Sequence, residues 1–306
     1  MQHFFILVLM KKILLISAIG LFCIQNVSAQ EKMSKDDREN LARQQFDDGE
    51  YQKSLTNYNI LLKDDENNAS YLNGRGLAYF RLGNYAKAKQ NFAMETLFSE
   101  NDATIWSNLS AAYNNLNENE KAYETSVKAL RYGKSALTVF NAASNANNVE
   151  RLDEALSILD NAGEFRTNSM EDLYGRVYSK KNDYNNSIKH FEIFFKNFND
   201  NDKITFNILS EKRSYFFALM GKLADEAATT QPKENALLKE LFEELANNTG
   251  YEFDSNFPVH SSYEMIRAIK KNSAYKDYFL EFVKLIKDKD KAYILLNELN
   301  DTQNYK

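Results

Sequence analysis

Apolar and polar residues alternate along most of the chain with the period of an α-helix, and the alternation itself repeats. Asn68-Ala69-Ser70-Tyr71 and Asp102-Ala103-Thr104-Ile105-Trp106 begin two segments that lie 34 residues apart. A small residue, a tyrosine and an alanine recur in both at the same offsets: Gly76, Tyr79 and Ala88, then Ser110, Tyr113 and Ala122. This periodicity predicts stacked pairs of amphipathic helices. The pattern defines five units: 35–68, 69–102, 103–135, 136–167 and 168–201.

Short polar segments lie at the middle of these units and predict a turn between two helices. Gly83-Asn84-Tyr85 separates Tyr79 from Ala88, and Gly49-Glu50-Tyr51 and Asn182-Asp183-Tyr184 stand at the same place in other units. In the third unit the corresponding segment is Asn117-Glu118-Asn119. Each unit is therefore predicted to be a helix-turn-helix that buries its apolar faces against its neighbours.

These residues resemble the tetratricopeptide repeat, a helix-turn-helix unit of 34 residues. The best match is 69–102, in which the family's positions 8, 11, 15, 17, 20 and 24 hold Gly76, Tyr79, Gly83, Tyr85, Ala88 and Phe92. The family's proline at position 32 is replaced by Glu66 and Glu100. The resemblance implies a right-handed α-solenoid whose concave face is formed by the first helix of each pair.

After residue 201 the repeat fades, but the helical spacing of apolar residues continues. We predict a degenerate repeat or helical continuation over 202–249, with Pro232 early in a helix, then a loop over 250–260. A helical cap is predicted within 250–306, including helices at 274–287 and 289–300, and a module that docks a partner is the alternative for this segment. The whole chain is therefore predicted to be all-α, in agreement with its 10 glycines and 2 prolines.

The N-terminal residues have the pattern of a secretory signal peptide. Lys11 and Lys12 precede an apolar run from 13 to 24, and Val27-Ser28-Ala29 fits a cleavage site. We predict that residues 1–29 are removed and that the protein is extracytoplasmic, either periplasmic or secreted. An uncleaved membrane anchor and a lipid on Cys23 are the alternatives. Cys23 is the single cysteine, so the processed chain would have no disulfide.

Composition and motifs argue against nucleic-acid binding and catalysis. The chain has 38 Lys plus Arg against 43 Asp plus Glu, a net charge of −5, and so has no excess of basic residues for a phosphate backbone. His190 and His260 stand about 70 residues apart, without the spacing of a metal site. Gly74-Arg75-Gly76 is too short for a phosphate loop and is interpreted as helix packing. We therefore predict a non-catalytic protein without cofactor or metal.

Carried over position by position, the resemblance implies a peptide-binding groove on the concave face. Asparagine recurs at position 6 of three units, and basic residues lie nearby; the groove is predicted to include Asn40, Arg43, Asn73, Arg81, Asn108, Asn141, Arg176 and Lys180. An amide both donates and accepts hydrogen bonds, so it can pair with the peptide group of any sequence. The basic residues would favour acidic stretches.

Three functions remain open from the sequence. The first is a scaffold that binds an extended segment of another envelope protein. The second is an outer-membrane accessory protein that binds glycans, for which Trp106 is the clearest aromatic platform. The third is an enzyme whose residues converge from distant repeats. Convergence of His190 and His260 with carboxylates in one closed pocket would favour the enzyme. The partner and the oligomeric state are not indicated by any motif.

Overall fold

A computed structural model of the 306-residue chain describes residues 33–198, 208–234, 236–247, 257–286 and 288–301. The predicted signal peptide and Cys23 lie outside these residues. Within them the secondary structure consists of fifteen α-helices and two short 3-10 helices, with no strand, which confirms the all-α class. No helix in the described ranges combines the length and the apolar character that a membrane crossing requires.

Ten helices in 35–196 form the five predicted helix-turn-helix pairs. They are α1 Lys35–Asp47 and α2 Tyr51–Asp64; α3 Ala69–Arg81 and α4 Tyr85–Glu95; α5 Ala103–Asn115 and α6 Asn119–Tyr132; α7 Ala136–Asn148 and α8 Leu152–Asp160; α9 Asn168–Lys180 and α10 Tyr184–Lys196. Side chains cap several of these helices. The Asn68 and Asn84 side chains accept hydrogen bonds from the backbone amides of Tyr71 and Lys87, each at 3.2 Å.

Every turn within a pair contains one residue with left-handed backbone, always at position 15 of its unit. The φ angles are +78° at Gly49, +74° at Gly83, 57° at Asn117, 59° at Glu150 and 58° at Asn182. Glycine and asparagine tolerate this conformation best, which explains their recurrence in the sequence. The predicted turns are therefore confirmed, including the third, whose residues differ from those of the others.

Small residues at position 8 bring the helices of a pair close together. A Cβ atom on Gly76 would lie 2.5 Å from the Phe92 ring, and one on Gly175 would lie 2.8 Å from the Phe191 ring. Each phenylalanine is fully buried and stands 16 residues after its glycine. Gly76 is thus a packing residue, as predicted.

The chain divides into two compact units at Gly133 and Lys134. In the first unit, one apolar cluster joins α1, α2 and α3 through Ala42, Tyr58 and Leu72. A second cluster joins α4 and α5 through residues that include Phe92 and Leu109. Each cluster joins one helix pair to the next, as the stacking of amphipathic helices requires.

The second unit contains α7 to α10 and five further helices: α11 Ile208–Glu226, α12 Ala236–Asn247, α13 Phe257–Lys271, α14 Ala274–Leu285 and α15 Lys289–Asn300. One large apolar cluster spans these helices from α10 to α15, with Phe191, Phe216, Met265, Phe279 and Leu299 among its members. The C-terminal helices therefore share a core with the last repeat-like pair.

Two predictions about this region differ from the structure. The predicted loop over 250–260 is too long, because α13 begins at Phe257 with Pro258 in its first turn, where a missing amide hydrogen is tolerated. Pro232 lies in a separate 3-10 helix, Pro232–Glu234, ahead of α12. The helices predicted at 274–287 and 289–300 correspond to α14 and α15.

Candidate functional site

The first helices of three consecutive pairs, α1, α3 and α5, form a groove in the first unit. Its larger part is a cleft of about 370 Å³, lined by Arg43, Phe46, Asp47, Tyr58, Ser70, Asn73, Gly74 and Leu77. A smaller cleft of about 150 Å³ is lined by Leu77, Phe80, Arg81, Phe92, Asn108 and Ala111. Leu77 lines both clefts, so the two clefts adjoin at this residue, and we refer to them together as the groove.

The floor of the larger cleft depends on a glycine. A Cβ atom on Gly74 would lie 2.1 Å from the Tyr58 ring, so no other residue fits at position 74 without displacing that ring. Tyr58 is buried, yet it lines the cleft. Together with Phe46 and Leu77 it gives the groove an apolar floor.

One wall of the groove is a polar network between α1 and α3. Arg43 forms an ion pair with Glu39 and donates a hydrogen bond to Ser70 Oγ at 3.1 Å. Ser70 Oγ donates in turn to Glu39 Oε1 at 2.8 Å. The charge of Arg43 is therefore balanced by a carboxylate of its own helix.

A pair of amides connects α3 to α5. Asn108 Nδ2 donates a hydrogen bond to Asn73 Oδ1 at 3.4 Å. Asn40 is exposed on α1. At position 6 the second repeat has Gly74 instead of asparagine. The row of asparagines at this position, Asn40 and Asn108, is therefore interrupted between the first and third repeats.

The smaller cleft contains Arg81, the arginine of the groove without an ion pair to a described residue. Arg81 is exposed at the end of α3 and forms no ion pair with any residue that the structure describes. It lies beside the apolar side chains of Leu77 and Phe80. This arrangement suits a ligand that is apolar in one place and acidic in another.

Three predicted groove residues lie in the second compact unit, after Lys134. Asn141 is half-buried on α7. Arg176 Nε lies 2.8 Å from Asp172 Oδ2, and its guanidinium also forms an ion pair with Glu211. Lys180 donates to the Asn147 carbonyl at 2.9 Å and to Glu150 Oε1 at 2.8 Å.

Arg176 is held by two buried carboxyl groups. Burial raises the pKa of Asp172, and the neighbouring Glu211 carboxyl raises it further, while Arg176 opposes the shift. Three of the four basic residues that were predicted to bind acidic stretches, Arg43, Arg176 and Lys180, are thus paired with carboxylates of the chain. Of these four, Arg81 is the one that forms no ion pair with a described residue.

His190 forms part of a buried polar cluster between α9 and α10. Its Nδ1 lies 2.7 Å from Glu171 Oε2, and its ring stacks on Tyr174 with ring centres 4.5 Å apart. Arg166 Nε donates to Glu171 Oε1 at 2.7 Å. Burial alone would raise the pKa of Glu171, but the hydrogen bonds from Arg166 and His190 lower it.

Convergence of His190 with His260, the observation that would favour an enzyme, concerns a side chain outside those described, because His260 lies in α13 without a described side chain. Among the residues whose side chains are described, no group of three or more His, Cys, Asp or Glu is placed to hold a metal ion. The contacts of His190 are those of a packed histidine that shares a hydrogen bond with a carboxyl group.

Trp106, the candidate glycan platform, makes its contacts within the first compact unit. Its indole Nε1 donates a hydrogen bond to the Glu100 carbonyl at 2.6 Å. Its ring stacks on Tyr132 at 6.4 Å, and Lys128 Nζ lies 4.4 Å above it. Tyr132 and Lys128 therefore lie against the indole ring that a sugar would have to contact.

Sequence reasoning missed the aromatic residues that line the larger cleft. Phe46 and Tyr58 belong to the first repeat, 35–68. The repeat pattern places Tyr58 at position 24, a core position. The signal that could have identified Tyr58 is Gly74, because a glycine at position 6 leaves space for the aromatic residue of the preceding unit.

Comparison with known proteins agrees with this architecture. The family model described as TPR repeat matches residues 42–83. No curated protein sequence matches the chain. The crystal structure of YrrB, described as a TPR protein with an unusual peptide-binding site, is similar to this chain with a TM-score of 0.50 and 19% identity, over 56% of this chain and 90% of YrrB.

A second solved structure, a double mutant of MamA RS-1, is similar with a TM-score of 0.50 and 14% identity, over 53% of this chain and 93% of that one. At such identities the likeness establishes the fold alone. Together with the sequence match and the five helix pairs, it supports the resemblance to tetratricopeptide repeats.

Proposed function

We propose that the groove of α1, α3 and α5 binds an extended peptide segment of another protein and that the chain acts as a non-catalytic scaffold. The observation that carries this proposal is the pair of adjoining clefts, with an apolar floor, an amide pair and one arginine that forms no ion pair with the described residues. The peptide-binding site in the name of YrrB adds support, because its fold is similar.

The amide pair is suited to a peptide backbone. The hydrogen bond between Asn108 and Asn73 uses one donor of Asn108 and the acceptor of Asn73. Asn108 Oδ1 and Asn73 Nδ2 make no hydrogen bond to the described residues. An acceptor and a donor thus remain side by side, as a peptide N–H and C=O require.

The floor and Arg81 define the side chains that the ligand would carry. An apolar residue of the ligand would fit over Tyr58 and Leu77, and an acidic residue would pair with Arg81. From the predicted signal peptide we further propose that this interaction takes place outside the cytoplasm, with another protein of the cell envelope as the partner.

A photo-crosslinking amino acid at Leu77 tests the groove directly. We expect it to capture a partner in the native envelope, and mass spectrometry should identify the crosslinked segment. The same amino acid at Gln90, exposed on the second helix of the pair, is the matched control and should not capture that segment.

The captured segment is then synthesised and its affinity measured by fluorescence anisotropy. We expect Asn73→Ala with Asn108→Ala to weaken binding about tenfold or more, since each lost hydrogen bond costs roughly 0.5–1.5 kcal/mol. The control is Asn67→Ala with Asn119→Ala, two exposed asparagines that do not line either cleft. Equal affinity for the groove variant and the wild type, with unchanged melting temperature, would reject the groove as the binding site.

A further inference from the structure

The two clefts of the groove have the same architecture, shifted by one repeat. Each is lined by the residues at positions 12 and 13 of one first helix and by the residue at position 9 of the next first helix. Position 12 is a phenylalanine in both clefts, Phe46 and Phe80. Position 24 adds a second aromatic residue, Tyr58 in the larger cleft and Phe92 in the smaller one. The clefts are therefore two equivalent pockets for side chains.

The phenylalanine of each pocket is held by a tyrosine at position 17, the first residue of the second helix. The ring centres of Phe46 and Tyr51 lie 5.3 Å apart, and those of Phe80 and Tyr85 lie 5.1 Å apart. Both pairs are edge contacts, a favourable arrangement of two aromatic rings. The apolar part of both pockets is thus built in the same way.

The two pockets differ in the charge at position 13. This residue is Asp47 in the larger cleft and Arg81 in the smaller one. Both are exposed, and neither forms an ion pair with a residue whose side chain the structure describes. Arg43, the other charged residue that lines the larger cleft, is paired with Glu39. The larger cleft therefore has a net negative charge, and the smaller cleft has a net positive charge.

The repeat also sets the distance between the two charges. Asp47 and Arg81 occupy the same position on α1 and α3, and the axes of packed helices lie about 8–10 Å apart. An extended chain advances about 3.3 Å per residue, so this separation corresponds to about three residues of a ligand. A ligand that lies across both first helices therefore presents two side chains, one to each pocket.

We propose that the groove selects a segment with one basic and one acidic residue, two to four positions apart. The alkyl stem of the basic residue packs on Phe46 and Tyr58, and its charged end pairs with Asp47. The acidic residue enters the smaller cleft and pairs with Arg81. A uniformly acidic segment is disfavoured, because it places a carboxylate beside Asp47. This inference rests on the proposed function of the groove and adds the charge pattern of the ligand.

Labelled peptides of about eight residues test the charge pattern by fluorescence anisotropy. They consist of serine and leucine with one arginine and one aspartate, separated by two, three or four positions and placed in both orders. The matched neutral peptides carry glutamine and asparagine instead. We expect the wild type to bind one order best, about fivefold or more tightly than the neutral peptide, because two exposed ion pairs are formed.

The variant that exchanges the two charges is Asp47→Arg with Arg81→Asp, which keeps the net charge of the chain. We expect it to prefer the opposite order of arginine and aspartate. Lys63→Asp with Glu66→Arg is the matched control, because it exchanges two exposed charges that do not line either cleft. The control should keep the order that the wild type prefers. Circular dichroism checks that each variant is folded.

Two results would overturn the charge pattern and leave the peptide groove in place. One is the same preferred order in the wild type and in the variant with exchanged charges. The other is equal affinity of the wild type for the charged and the neutral peptides. If none of the peptides binds the wild type, the peptide-binding proposal itself is rejected, and this inference is rejected with it.

Discussion

Glu95 is a large ionisable residue at a position where the repeat places a small one. It stands at position 27 of the second repeat, and the third repeat has Ala129 at the same position. Its side chain is 3% exposed, and its Oε2 atom has no hydrogen-bond partner among the described residues. Burial raises the pKa of Glu95 to about 8, and the nearby Asp102 contributes to the shift. The carboxyl group is therefore neutral at neutral pH.

This pKa makes the stability of the protein depend on pH. An unfolded Glu titrates near 4.5, so between about pH 4.5 and 8 the folded chain holds a proton that the unfolded chain has released. The stabilisation from this proton is complete below that range and is lost as pH rises through 8. We expect Glu95→Gln, which cannot ionise, to be more stable than the wild type at pH 9, by about 1–3 kcal/mol.

Thermal melting from pH 4.5 to 9 measures the effect of Glu95→Gln. Its melting temperature should fall less than that of the wild type as pH rises. Glu100→Gln, at an exposed residue nearby, should leave the wild-type profile unchanged. Parallel profiles for Glu95→Gln and the wild type would contradict the assigned role of Glu95.

The turn is the element in which the repeats agree most closely. All five have a left-handed residue at position 15, but the fourth unit uses Glu150, which has a Cβ and a long side chain. A left-handed conformation costs an ordinary residue roughly 1–2 kcal/mol relative to glycine. The exposed ion pair of Glu150 with Lys180 offsets only a small part of this cost.

We therefore expect Glu150→Gly to stabilise the protein by about 0.5–1 kcal/mol, measured by urea unfolding. Glu150→Gln is the control for the ion pair and should have almost no effect. Gly83→Ala should destabilise by about 1 kcal/mol, although no atom lies within 4 Å of the added Cβ, because the strain is in the backbone alone. A loss of stability in Glu150→Gly would show that the side chain matters more than the backbone.

These examples also explain which features the sequence predicts. The turns and the helix pairs depend on residues within one unit, so the repeat pattern identified them. The pairing of Arg176 with Glu211 joins residues 35 positions apart, and the packing of Tyr58 on Gly74 crosses from one unit to the next. Neither follows from local periodicity. The early start of α13 was missed because the pattern treated Pro258 as a loop residue rather than as a residue of a first helical turn.

At the scale of the whole chain, the proposed peptide groove belongs to one of the two compact units. It lies before Gly133, in the unit that ends at that residue. The large apolar cluster from α10 to α15 belongs to the other unit, so substitutions in the groove leave that cluster intact.

The proposed export of the chain is tested on the native protein. We expect N-terminal sequencing to read Gln30-Glu31-Lys32, because cleavage after Ala29 follows the small residues at the end of the apolar run. Ala29→Arg should block processing and leave a longer chain. Retention of Met1 or Met10 in the native protein, or a lipid on Cys23, would contradict this prediction.

Trp106 has a practical consequence. It is the single tryptophan of the chain, and its indole lies between helices of the first unit, in contact with Tyr132 and Lys128. Light that excites tryptophan selectively therefore yields an emission signal from the first unit alone, while far-ultraviolet dichroism averages over all helices. The chain thus contains its own optical reporter, which follows the unit with the peptide groove without any attached dye.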